Sequence, residues 1–262
     1  MNSRINIPVL IDFDGVLRLG AKIADDAKAF LEFLNDENIP SFIISNSTLS
    51  TSKEITGFLS QNGIRAGINA MTTVDAAVDY LKGRNLTASV YCAKKIKTLF
   101  EEFIDDNYPD AVLIGDMGSE WSYEILNEIF LRVHNGAEIL AMQKNKFWKP
   151  DGKSLVLDAG AFISAIEFAS SKQAVLIGKP SPIYFQSALK KLGVKNGAKF
   201  IMIGDDLETD IKGSQSIGGI GILVFTGKTK FPLTADTTIH PDYTANNLAE
   251  AIGILKKIFI NR

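Results

Sequence analysis

Short apolar runs recur along this chain with helical periodicity between them, and several runs stop at an acidic or polar residue. Val9-Leu10-Ile11-Asp12-Phe13 is apolar except near its end, the pattern of a strand buried on both faces. Ser41-Phe42-Ile43-Ile44-Ser45 repeats it, and further strands are predicted at 88–92, 111–114, 138–142, 174–177, 200–203 and 221–225. Between them, Ala27, Phe30, Leu31 and Leu34 recur at i, i+3, i+4 and i+7, predicting an amphipathic helix with Asp25 and Asp26 in its first turn. Thr51 and Glu54 have capping-box spacing ahead of Ile55, Phe58 and Leu59. Other helical patterns lie at 73–81, 94–103, 123–134, 161–169, 182–192 and 209–217, with a last one from Leu248. Such alternation predicts a doubly wound α/β fold, a parallel sheet with helices on both faces. No repeat, low-complexity tract or linker composition marks a domain boundary.

Composition narrows the functional classes. The formal charge is −2, from 28 basic and 30 acidic side chains, without the basic excess of a nucleic-acid or anionic-membrane binder. No apolar run approaches the ~20 residues of a membrane span, and the opening residues Met1–Pro8 do not read as a signal peptide. The single cysteine, Cys92, excludes an internal disulfide and a thiolate zinc cage, and reads as a small buried hydrophobe. With only two histidines, chemistry must rest on carboxylates, lysines and hydroxyls. The expectation is a soluble, cytoplasmic protein with neither nucleic-acid nor membrane partners.

In open parallel sheets ligands collect beyond the carboxyl ends of the strands. Four polar groups fall there: Asp12, Asp14 and Gly15; Ser45 and Asn46; Gly178, Lys179 and Pro180; and Gly204, Asp205, Asp206 with Asp210. In a shuffled chain of this composition Asp-x-Asp-Gly is expected roughly 0.1 times, and Gly-Asp-x-x-x-x-Asp about as rarely. Both occur here, each directly after a strand, so chance is a poor explanation. Converging carboxylates repel, by about 4 kcal/mol for a pair 4 Å apart at an effective dielectric near 20. A hard divalent cation such as Mg²⁺ removes that conflict, and Lys179, Ser45 and Asn46 add a charge and donors suited to phosphate oxygens. The constellation reads as a metal-assisted phosphoryl site, in which a carboxylate can also serve as nucleophile.

Asp12-Phe13-Asp14-Gly15-Val16-Leu17, Ser45-Asn46, Gly178-Lys179-Pro180 and Gly204-Asp205-Asp206 with Asp210 resemble, in order, the four motifs of the haloacid dehalogenase (HAD) superfamily. The stretch between Asn46 and Lys179 resembles its type IIA cap, so the resemblance implies a Rossmann-like core over 1–65 and 177–262 and a smaller inserted α/β cap over 66–176. It further implies an Mg²⁺-dependent phosphatase acting on a small phosphorylated metabolite: a phosphomonoester, phosphoramidate or pyrophosphate. By resemblance, Asp12 is the nucleophile that forms an aspartyl-phosphate, and Asp14 the general acid and base. Asp12, the Asp14 backbone carbonyl and Asp205 hold the cation, with Asp206 and Asp210 in or just behind that shell. Ser45 and Asn46 bind the phosphate, and Lys179 neutralises phosphate and nucleophile. Family members often dimerise through the cap, where Phe100, Phe103 or Tyr108 could contribute.

Alternatives remain at this stage. A phosphotransferase or phosphomutase, or a catalytically silent phospho-ligand binder, would carry the same residues. The stretch Asn145–Lys153 reads either as a hairpin or as a cap loop bringing Trp148 to the leaving group. Asp158 reads either as a helix N-cap or as a specificity residue. Gly227-Lys228-Thr229 looks like the end of a nucleotide P-loop, but Ile222 stands where the first glycine is required, and that reading is rejected.

Overall fold

Burial dictates where the strands go. Val9, Leu10 and Ile11 are wholly buried, and the strand they form, Val9–Asp12, lies inside a six-stranded sheet. The computed structural model describes residues 7–64, 67–148, 154–195, 197–234 and 236–260. The strand order is Tyr243–Ala245, Ile220–Val224, Ile201–Gly204, Val9–Asp12, Ser41–Ser45, Asn69–Thr72. Both neighbours of Val9–Asp12 run parallel to it, with Ile11 opposite Ile203 on one side and Asp12 opposite Ile44 on the other. This register brings the carboxyl ends of three strands level.

The side-chain period of two divides the sheet's residues between its faces. Val9, Ile11, Ile201, Ile203, Ile222 and Val224 join one apolar cluster. Helix Ala27–Asp36 closes over it with Ala27, Phe30, Leu31 and Leu34, the four residues expected from the spacing. Helix Leu248–Ile260 adds Leu248, Ala251, Leu255 and Ile258. Asp25 and Asp26 precede the first helix rather than occupying its first turn; the Asp26 carboxylate instead accepts from the backbone N–H of Ala249 at 2.9 Å, tying the two helices together. Helix Pro182–Lys191 buries Tyr184, Phe185, Ala188 and Leu189 outside that cluster, with Phe185 against Phe200.

The chain forms two compact units. One, carrying the sheet above, comprises Met1–Ser45, Ser52–Met71 and Lys179–Arg262; the other comprises Asn46–Thr51 and Thr72–Gly178. The second unit has its own four-stranded parallel sheet, in the order Val175–Leu176, Glu138–Ala141, Ala111–Ile114, Ala88–Tyr91. Helix Tyr123–His134 begins and ends where the periodicity predicts, with Ser122 as its N-cap. Helix Thr73–Arg84 starts on a full capping box between Thr72 and Asp75. A two-stranded antiparallel pair, Phe147–Trp148 with Val156–Leu157, flanks residues 149–153, which lie outside the described residues.

Two expectations for this unit need correction. Residues 94–103 are not one α-helix: Lys94–Lys97 is α-helical and Thr98–Phe103 tightens to 3₁₀. That tightening turns Phe100 and Phe103 into the core, so of the three aromatics considered for a dimer contact only Tyr108 is exposed. Among the described residues no helix is long and apolar enough to cross a membrane.

Cys92 is buried, and burial pushes its thiol up to about 12, against a smaller opposing pull from Lys97. Only the thiolate is nucleophilic, so at pH 8 a thiol titrating there is ionised to about one part in 10⁴. Native protein should therefore react with a disulfide reagent at least about a hundredfold more slowly than the same protein in denaturant. Equal rates in the two states would contradict the burial.

Candidate active site

At the carboxyl end of its strand Asp12 is buried, and its carboxylate accepts a hydrogen bond from the Lys179 ammonium at 2.6 Å. The same ammonium donates to Asp210 Oδ1 at 2.7 Å, and Lys179 is itself only 3% exposed. Asp205, just past the Ile201–Gly204 strand, completes the group. Among the described residues Asp12, Asp205 and Asp210 can each offer one carboxylate oxygen within 4.8 Å of the others.

Local backbone explains how Asp210 gets there. The predicted helix over 209–217 is instead a π-helical turn, Leu207–Lys212, followed by a short α-turn, Gly213–Gln215. The Ile211 N–H reaches back five residues to the Asp206 carbonyl at 3.2 Å, and the Asp206 N–H donates to Asp210 Oδ2 at 3.1 Å. A widened turn of this kind is frequent at functional sites and here carries a buried carboxylate inward. Asp206 itself caps the turn, accepting from the N–H groups of Glu208 and Thr209, and pairs with the Lys228 ammonium.

The electrostatics follow. Burial alone would disfavour the Lys179 charge, but Asp12 and Asp210 outweigh it and hold the ammonium charged well beyond the usual lysine range. Burial raises Asp12 well above the ordinary carboxylate value; Lys179 opposes this, while Asp210 and Asp205 add to it. Asp205 is pushed up to about 6, by burial first and then by Asp210. Burial also raises Asp210, against Lys179. Asp206 goes the other way: burial would raise it, but Lys228 and the turn's N–H groups hold it below the usual range.

Three carboxylates against one ammonium, 3 − 1, leave two negative charges in excess when all are ionised. An all-oxygen donor set with that excess fits a hard divalent cation. The acidic pairs at the margin are separately balanced: Asp206 by Lys228, and Asp14 by Arg18 at 2.5 Å. Asp14 sits apart from the buried group, about half exposed. It receives a long hydrogen bond from the buried Ser45 hydroxyl, 3.5 Å, and Arg18 lies over the Phe13 and Phe58 rings.

The sequence-derived residues divide between the two units. Asp12, Asp14, Ser45, Lys179, Asp205, Asp206 and Asp210 belong to the first unit, whereas Asn46 begins the segment that packs in the second. Asp158 is the N-cap of helix Ala159–Ser170, accepting from the Ala159 N–H and from Gln143 Nε2, both at 2.7 Å. Trp148 is about half exposed. Sequence reasoning passed over Lys228 and Arg18. The rejected P-loop look-alike was the only signal for the first, and a basic residue four places past Asp14 the only one for the second.

Residues 9–103 match the family described as haloacid dehalogenase-like hydrolase, and 176–251 match the HAD-hydrolase-like family. The phospholysine phosphohistidine inorganic pyrophosphate phosphatase of Mus musculus is 30% identical over 256 residues, covering 95% of this chain and 94% of that one. The chain belongs to the HAD superfamily. An acid sugar phosphatase of Staphylococcus aureus is 30% identical over 95% of this chain and 97% of its own. Among solved structures, a thermostable NPPase from Geobacillus stearothermophilus superposes with a TM-score of 0.78 at 28% identity, covering 92% of this chain and 96% of that one. A 4-nitrophenylphosphatase from Thermotoga maritima, 24% identical over 95% of this chain and 97% of its own, has the same fold at a TM-score of 0.84. Relatives named as phosphatases along nearly the whole chain make it a phosphatase of this superfamily; such phosphatases generally use a divalent metal, and the buried group of Asp12, Asp205 and Asp210 is suited to one.

The charge excess generates a prediction for metal-free protein. Asp205 moves from an ordinary 3.8 to about 6 on folding, so the folded state binds more protons between those values. Stability from this group is therefore complete below the unfolded value and lost as pH rises through about 6. In EDTA, thermal unfolding of the wild type should lose stability across that window relative to Asp205→Asn. At pH 7.5 a divalent cation at about a hundred times its Kd should restore roughly 2.7 kcal/mol. Identical pH profiles for the two proteins would overturn this.

Proposed function

We propose that this chain hydrolyses small phosphorylated metabolites through an aspartyl-phosphate on Asp12, with Mg²⁺ as the cation. The observation that carries the reading is the Lys179 ammonium bonded to both Asp12 and Asp210 inside a buried carboxylate group. Asp12, Asp205 and the Asp14 backbone carbonyl would hold the cation, with Asp210 beside them. When bound, Mg²⁺ would neutralise the nucleophile and the phosphoryl oxygens together.

In this mechanism an Asp12 oxygen attacks phosphorus while the bond to the leaving oxygen breaks, and Asp14 protonates that oxygen as it departs. Water then attacks the aspartyl-phosphate, Asp14 takes its proton, and inorganic phosphate leaves with Asp12 regenerated. Lys179 opposes the effect of burial on the Asp12 carboxylate and positions it, and Ser45 and Asn46 donate to the phosphate. Arg18 pairs with Asp14 at rest, so it must release Asp14 before the proton can be given. The second unit is the cap in this reading, and leaving-group specificity is assigned to it.

The equal identity to relatives named for pyrophosphate and for sugar phosphate sets the substrate panel: phosphate esters, phosphoramidates and pyrophosphate. Phosphate release should require Mg²⁺, stop in EDTA, and fall at least about a thousandfold in Asp12→Asn. Release that survives the substitution would overturn the covalent mechanism. Phosphorylated acceptor forming in place of inorganic phosphate would instead make the chain a phosphotransferase, and metal binding without turnover would make it a silent binder.

A further inference from the structure

The loop after strand Ile220–Val224 is absorbed by none of the family motifs, yet two of its backbone N–H groups hold Asp205. The Lys228 backbone N–H donates to Asp205 Oδ2, and the Thr229 N–H donates to the Asp205 carbonyl at 3.0 Å. Thr226 Oγ1 donates to the Gly15 carbonyl at 2.5 Å, so the loop is also fastened to the turn between Asp14 and Arg18. The Lys228 ammonium reaches on to Asp206.

Two glycines make this fit possible. A β-carbon at Gly227 would overlap Asp205 Oδ2 and crowd the Gly15 Cα at 2.8 Å. A β-carbon at Gly15, whose φ of +92° already disfavours a side chain, would overlap the same oxygen. Asp205 Oδ2 is thus enclosed by backbone on two sides and held by an N–H. Its carboxylate has one oxygen committed to the loop, while one oxygen lies within 4.8 Å of ligand atoms of Asp12 and Asp210.

We propose that the Thr226–Thr229 loop is the positioning clamp of the cation site, fixing Asp205 by one oxygen so that its carboxylate meets the cation in a single orientation. The inference rests on the cation-site reading above. A carboxylate free to rotate would lose side-chain freedom on binding, whereas a clamped one has already lost it. The loop therefore acts on metal affinity rather than on phosphate, and its glycine is required for space: at Gly227 the backbone itself is not left-handed, so an added methyl is opposed by the Asp205 carboxylate and the Gly15 Cα rather than by its own conformation.

The test is Mn²⁺ binding to the full chain, read from the free-ion paramagnetic resonance signal without any substrate. Gly227→Ala should raise the Kd at least tenfold, and Thr226→Val, which keeps the side chain's volume and removes the Gly15 tether, three- to tenfold. Both should keep the wild-type circular dichroism spectrum. Gly253→Ala, where nothing stands within 4 Å of the new carbon, should bind as wild type. Values within twofold of wild type for both loop variants would overturn the clamp. If Gly227→Ala does not fold, Thr226→Val decides alone by the same criterion. Asp205→Asn separates the two layers: loss of binding there with unchanged loop variants sinks only the clamp, while unchanged binding there sinks the cation site as well.

Discussion

A lysine ammonium buried to 3% exposure between two carboxylates is the interaction around which this site is organised. Removing an ammonium from water costs several kcal/mol, and a carboxylate costs as much. Neither would persist buried alone. Together they still leave a deficit, because Lys179 meets Asp12 and Asp210 while Asp205 adds a third acid within 4.8 Å. A structural core would have eliminated such an imbalance. Retaining it makes sense where a mobile positive charge completes the group, and where the incoming phosphate then finds both the charge and the lysine already in place.

Backbone register turns three distant sequence segments into one site. Parallel pairing of Val9–Asp12 with both neighbours levels Asp12 with Gly204 and sets Ser45 one step beyond Ile44. Every residue that follows these strands leaves the sheet at one edge, so chemistry collects there without any one segment carrying it. The apolar faces behind that edge, closed by helices Ala27–Asp36 and Leu248–Ile260, hold the strand ends in place. The hydrogen bond from Ala249 to Asp26 extends the same rigidity across the two helices.

The central strands and the long helices were legible because their periodicity is imposed by burial. Strand Ala111–Ile114 and helix Tyr123–His134 have the bounds that the apolar pattern predicts. Asn69–Thr72 and Tyr243–Ala245 were not legible: they are outer strands, their residues mix polar with apolar, and pairing rather than composition defines them. The turn after Asp206 was misread for a different reason. Its sequence satisfies helical spacing, which does not distinguish an α-turn from the wider π-turn that forms and in which Asp210 meets Lys179. Lys228 was considered only as the end of a P-loop, because its contact with Asp205 is made by the backbone, which no side-chain pattern reports. Resemblance supplied the motif residues, whereas only coordinates could supply the loop that seats them.

The contrast between Asp12 and Asp14 follows from their positions in the chain. Asp12 ends a strand and is enclosed by its neighbours; Phe13 then turns its ring into the apolar cluster, and Asp14 emerges where the Gly15 turn folds the chain back on Arg18. Two residues of the same type thereby acquire different surroundings, one dry and facing Lys179, the other wet and facing a guanidinium braced on Phe13 and Phe58. In the mechanism proposed, the first must be anionic when it attacks phosphorus, while the second gives a proton to the leaving oxygen and then takes one from the attacking water. A buried residue could not relay protons to water easily, and an exposed one would not be held rigidly enough to attack phosphorus. The single residue between them, an aromatic that belongs to the core, is what keeps these two requirements on opposite sides of the chain.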